Sequence, residues 1–145
     1  MISRVHKMED LGFTDRVAQS YSQELGRPFS KTHFFNLWES LLTSGTGAMW
    51  KHDTEGDLTG IIAGILYPDM FDGELVATEV VWYVSPVARS SRAAYDLWQE
   101  LEMWAKSSNA ARIYSGAAVG NPKLGQMFLK RGMKEMETYY TKDIA

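Results

Sequence analysis

Residues 82–94, Trp-Tyr-Val-Ser-Pro-Val-Ala-Arg-Ser-Ser-Arg-Ala-Ala, constrain the fold more than any other stretch of the chain. An apolar strand pattern runs into Pro86, and a basic turn of small residues then opens a long amphipathic pattern. Proline suits the end of a strand, since it has no N–H to give to a ladder. A helix that starts from such a turn leaves its first N–H groups unpaired, and its dipole favours negative charge there. Arg89 and Arg92 add formal positive charge at that point, and Ser90 and Ser91 add hydroxyl donors. The stretch predicts a strand–turn–helix unit carrying a site for a phosphate-bearing ligand.

The rest of the chain supplies elements around this unit. Ser3–His6 reads as a short strand, and residues 13–25 as a helix with Val17, Tyr21 and Leu25 four apart. Gly26-Arg27-Pro28 breaks it, and Ser30 is a good N-cap for a second helix with Phe34, Leu37, Trp38, Leu41 and Leu42 as its stripe. Strand patterns follow at Ala48–His52, Leu58–Tyr67 and Leu75–Val84, separated by turn-rich Asp53–Asp57 and Pro68–Gly73. Residues 90–107 form the best helix, with Ala94, Leu97, Trp98, Leu101, Trp104 and Ala105 on one face. Arg112–Ala118 is a strand, Asn121-Pro122 starts a helix that Gly132 ends, and Met133–Ile144 reads as a closing strand or hairpin. The order β-α-α-β-β-β-α-β-α-β implies an α/β (in some schemes α+β) fold: a mixed, mostly antiparallel sheet with helices on both faces.

Composition narrows the function classes. A chain of 145 residues, 45% hydrophobic, is expected to form one domain over residues 1–145. Its net charge of −3 argues against a general nucleic-acid binder. Zero cysteines exclude disulfides, zinc-thiolate sites and thiol nucleophiles. His6, His33 and His52 are scattered without metal-ligand spacing, so no metal is expected. The first ten residues are too polar for a signal peptide and no apolar run reaches membrane-spanning length, so a soluble cytoplasmic protein is the expectation.

Two spaced motifs carry a family resemblance. Val84-Ser85-Pro86 followed by Arg89-Ser90-Ser91-Arg92-Ala93-Ala94 is similar to the acyl-CoA signature Gln/Arg-x-x-Gly-x-Gly/Ala of the GCN5-related N-acetyltransferases (GNAT), with Arg92 where that family usually has glycine. Asn121, Leu124, Met127, Phe128, Lys130, Gly132 and Met133 follow the spacing of the family's second motif. The arginine-rich variant also resembles small acetyltransferase-like proteins of bacteriophages, which would place it in a host cytoplasm.

The resemblance implies a sheet of about six to seven strands, acetyl-CoA as co-substrate, and a small-molecule or protein amine as acceptor. It implies neither nucleic acid nor membrane as partner, and it leaves a homodimer open. The cofactor-binding residues it implies are Val84, Arg89, Ser90, Ser91, Arg92, Ala93, Ala94, Asn121 and Phe128. Glycine normally lets a backbone approach the pyrophosphate closely. Arg92 is expected to swing outward instead and pair with a phosphate as a charged donor.

The implied reaction is direct attack of an amine on a thioester, which needs a base and is helped by an acid. Glu79 is the candidate base: strand alternation puts it on the face of Val81 and Tyr83, where apolar neighbours would raise its pKa, the equal alternative being a carboxylate that faces solvent or pairs with a lysine. Many family members use a tyrosine on the last helix as acid, but the matching position here is Phe128, so Tyr83, Tyr114, Tyr139, Tyr140 or water is left for that role. Tyr139 and Tyr140 alternate on the expected late strand, so one of them is expected to face the cleft. Trp98 and Trp104 are expected in the core, and His33, Trp38 and Glu39 border the implied acceptor site, with core packing the better expectation. Loops 26–33 and 67–74 are the expected acceptor determinants. The competing reading is a GNAT-fold binding protein, in a virus particle or against a host factor, that has lost catalysis.

Overall fold

The computed structural model describes residues 1–117 and 121–144. It divides into two compact units, Met1–Ser115 and Gly116–Ala145. The first contains β1 (Ile2–Val5), α1 (Asp15–Leu25), α2 (Lys31–Ser44), β2 (Gly47–Thr54), β3 (Asp57–Pro68), β4 (Leu75–Val84), α3 (Ala93–Ser107) and β5 (Arg112–Tyr114). These strands form one sheet in the order β1-β2-β3-β4-β5, antiparallel throughout except for the parallel pair β4–β5. Among the described residues no helix is long and apolar enough to cross a membrane.

Local chemistry sets the helix bounds. Thr14 Oγ1 accepts from Val17 N–H at 3.3 Å and Ser30 Oγ from His33 N–H at 3.2 Å, each satisfying a donor that has no partner inside its helix. α1 closes where Gly26 N–H donates to Ser22 O at 3.0 Å. α3 begins three residues later than the apolar pattern suggested. Ser91 Oγ takes Ala93 N–H at 3.2 Å, and Arg92 occupies the N-cap without a side-chain cap bond.

Helices cover both faces of the sheet. On one side Phe13, Tyr21, Phe34 and Trp38 pack with Met49, Ile61, Ala63, Val81 and Tyr83. On the other, Leu97, Trp98, Leu101 and Trp104 of α3 are buried, with Trp98 stacked on Trp82 and Trp104 edge-on to Trp50. Each fully buried side chain of this kind contributes roughly 1.5–3 kcal/mol. Gly64 on β3 makes the second packing possible: a Cβ there would lie 2.7 Å from Leu101 Cδ1 and 3.1 Å from Thr78 O.

Two strand expectations are corrected. The sheet has five strands among the described residues rather than six to seven. The segment 133–144 carries no strand: Lys134-Glu135, Glu137 and Lys142-Asp143 interrupt its apolar alternation, and pattern alone does not supply a ladder. β5 also stops at Tyr114 rather than Ala118, which lies outside the described residues.

The second unit contains α4 (Pro122–Lys130), which begins after Asn121 with proline in its first turn and buries Phe128. Tyr139 and Tyr140 follow it, 83% and 92% exposed.

Candidate functional site

The site is built where β4 changes character. Along its first half the strand pairs with β3 on one side and, at Val76–Thr78, with β5 on the other. Ala63 pairs with Val81 but Gly64 pairs with Glu79, so Val80 is left over as a bulge and is 43% exposed. Beyond this point no described strand lies on the β5 side of β4. The bulge also breaks strict alternation, so the expected tie between Glu79 and the face of Val81 and Tyr83 does not follow.

The open side presents main-chain groups. Bonded and non-bonded pairs alternate along an antiparallel ladder. Ser85 N–H donates to Thr59 O at 2.9 Å, so the adjoining Gly60–Val84 pair is a non-bonded one. The N–H and C=O of Val84 therefore turn away from β3. Arg89 Nε–H donates to that carbonyl at 2.8 Å.

Glu79 stands beside the bulge. Ser115 Oγ donates to its Oε1 at 2.8 Å. Burial raises the Glu79 pKa above the ordinary carboxylate value, and the Ser115 bond offsets part of that rise. The Tyr21 phenol is pushed up to about 12, first by burial and then by the Glu79 charge, with Arg27 opposing. Its ring meets Tyr83 edge-on at 5.3 Å, and Tyr83 Oη shares a 2.8 Å hydrogen bond with Ser20 Oγ. α1 thus brings two hydroxyl side chains toward β4.

The turn before α3 is only in part the expected amide cradle. The N–H groups of Arg89, Ser91 and Ala93 are engaged by Pro86 O, Ala88 O and Ser91 Oγ. Those of Ser90, Arg92 and Ala94 make no bond within the turn. Ser90, Ser91 and Arg92 are exposed, while Ala93 is buried and starts the helix. Arg92 stands outward over Tyr95, 5.1 Å to the ring centroid, with Asp96 Oδ1 3.8 Å from its Nε. Arg89 forms an ion pair with Glu24 of α1 besides its bond to Val84.

Other expectations fall apart from this cluster. Trp38 is core, 3% exposed, and Glu39 Oε2 accepts from Met8 N–H at 2.8 Å. Loop 67–74 lies at the Leu75 end of β4, opposite the 86–92 turn. Tyr139 and Tyr140 are on no strand, so their expected alternation toward a cleft is withdrawn. Among the described residues no three metal-ligating side chains come together. Sequence reasoning missed Glu24, Ser115 and Tyr21 as neighbours of the site.

A strand that runs into Pro86, a turn of small residues and then a long helix is the strand–turn–helix unit that the sequence motifs imply. A sequence model of the acetyltransferase (GNAT) family matches residues 14–133. The chain belongs to the GNAT acetyltransferase family. Solved structures agree on the fold. An acetyltransferase of Trypanosoma brucei superposes with a TM-score of 0.75 at 13% identity, covering 99% of each chain. The ribosomal-protein-alanine N-acetyltransferase of Brucella melitensis gives 0.73 at 17%, covering 100% of this GNAT chain and 99% of that one. An aminoglycoside acetyltransferase from an uncultured soil metagenomic sample gives 0.76 at 10%, covering 100% and 96%. A search of curated protein sequences found no significant match.

Proposed function

We propose that this GNAT protein is an acyl-CoA-dependent N-acyltransferase that moves the acetyl group of acetyl-CoA to a primary amine by direct attack. The observation that carries the proposal is a carboxyl with a raised pKa, Glu79, at the bulge where β4 turns the Val84 N–H to its open side. Val84 N–H donates to the thioester carbonyl and stabilises the oxygen as charge develops on it. Glu79, ionised and partly desolvated, takes a proton from the attacking ammonium, directly or through a water. The C–N bond forms, the C–S bond breaks, the second proton on nitrogen passes to solvent, and CoA leaves as a thiolate that takes its own proton from solvent.

The residues present suit the diphosphate end of CoA. Arg89 supplies a guanidinium, and the N–H groups of Ser90, Arg92 and Ala94 supply donors at a helix start. Asn121 and Phe128 remain proposed cofactor contacts on the family motif alone. The acceptor is a small-molecule or protein amine. The Brucella and metagenomic relatives carry names of one kind each. We place the protein in the cytoplasm as a single functional domain.

Thiol release from acetyl-CoA with a broad amine panel tests this directly. The chain has no cysteine, so every thiol detected comes from CoA. Amine-dependent release is the expected result. Well-folded protein that fails to bind acetyl-CoA in a calorimetric titration overturns the proposal. Binding without turnover supports instead the reading as a non-catalytic GNAT-fold protein, which Phe128 at the usual tyrosine position favours.

A further inference from the structure

The signature arginine is already occupied. Arg89 sits between two groups 60 residues apart in sequence: the Glu24 carboxylate on the last turn of α1 and the Val84 carbonyl at the end of β4. Its side chain is 50% exposed and that of Glu24 39%, so an anion in solvent can reach both. A phosphate approaching the guanidinium meets a carboxylate held against the same cation. The two anions repel each other, and the phosphate offers the stronger charge.

Glu24 is also badly placed without its partner. It lies one residue before the final residue of α1, at the negative pole of the helix dipole, where a carboxylate is unfavourable. Arg89 offsets that charge. Removing Arg89 from Glu24 leaves two negative features together at the end of α1. That turn leads directly into Gly26-Arg27-Pro28-Phe29, and Phe29 packs edge-on against Tyr21 at 5.5 Å.

We propose that Glu24 is a latch on Arg89: it holds the arginine in the cofactor-free protein, competes with the CoA diphosphate for it, and on displacement loosens the end of α1 and the 26–29 loop. This rests on the acyl-CoA reading of the site above. Glu24 acts through Arg89 and is a positioning residue, not a catalytic one.

Calorimetric titration of CoA and of inorganic pyrophosphate into the wild type, Glu24→Gln, Arg89→Gln and the double variant tests the latch. An exposed ion pair accounts for up to ~1 kcal/mol, so Glu24→Gln should bind CoA about two- to fivefold more tightly. Arg89→Gln should bind roughly five- to a hundredfold more weakly, and adding Glu24→Gln to it should change nothing further. In parallel, amide exchange at residues 23–26 should speed up several-fold in Arg89→Gln and in wild type saturated with CoA, and should stay near the cofactor-free wild-type rate in Glu24→Gln. Unchanged or weaker CoA binding by Glu24→Gln overturns the latch while leaving the acyl-CoA reading intact. Slower exchange at 23–26 on CoA binding to wild type overturns it as well. No binding of CoA to any folded variant overturns the acyl-CoA reading itself.

Discussion

The two halves of β4 are made of similar residues and do different work. Leu75–Thr78 lies between β3 and β5, and Val76 and Ala77 are fully buried. Glu79–Val84 keeps β3 on one side but has no described strand on the other, and it carries the bulged Val80 near its start. In the first half the ladder satisfies the main chain on both edges, so the strand is purely structural. In the second, the same polypeptide carries a half-buried carboxyl and turns the Val84 amide outward. A reactive edge inside a fold needs this kind of local defect, because an intact parallel neighbour would have bonded the groups that a substrate must meet.

Glu79→Gln should have the largest effect on the second half of β4. The substitution keeps size and hydrogen bonding but removes the proposed base, so kcat should fall roughly a hundred- to ten-thousandfold. Acetyl-CoA affinity should stay within about twofold, since Glu79 is not a proposed phosphate contact. Rapid-mixing and steady-state kinetics separate the two quantities. Retention of a tenth or more of wild-type kcat removes Glu79 from the base role.

Next comes Gly64→Val, at the residue where the two halves meet through β3. Its new side chain would collide with Leu101 and with the Thr78 carbonyl, and a backbone oxygen cannot rotate aside. Overpacking should lower stability by about 1–3 kcal/mol, read as a shift of the urea midpoint. If α3 and β4 separate to admit it, the Glu79 environment changes too, and turnover should fall along with stability. A variant of unchanged midpoint would show that α3 is not held against the bulge.

The sequence was most legible where a short-range rule decides the outcome. Thr14 and Ser30 cap the helices that follow them, Gly26 stops α1, and Pro86 ends β4 within a residue of the pattern. The apolar stripe of α3 predicted Trp98 and Trp104 in the core. What was not legible depends on distant partners. Glu24 meets Arg89 only because α1 is folded back beside the end of β4, and Ser115 meets Glu79 across 36 residues. No local signal marks the bulge at Val80, because a Thr-Glu-Val-Val run is equally compatible with unbroken pairing. The tail at 133–144 went wrong for the converse reason: strand-like residues without a ladder do not make a strand.

The smallest effect tests the site most finely. Ser115→Ala removes the donor to Glu79 Oε1 and leaves burial as the dominant influence on that carboxyl. A hydrogen bond to the ionised form lowers a carboxyl pKa, so its loss raises the Glu79 value further above the ordinary one. The acidic limb of the pH–rate profile should therefore move to higher pH, with kcat on the plateau nearly unchanged. Stability follows the same sign. A folded-state pKa above the unfolded one gives a contribution present below the unfolded pKa and lost as pH rises through the folded pKa. Wild type and variant should differ least in acid, and the gap should widen to about 1 kcal/mol once Glu79 is ionised. Denaturant titrations at several pH values read this directly. A constant gap would mean that Ser115 supports the end of β5 mechanically, and that the charge of Glu79 is set by burial alone.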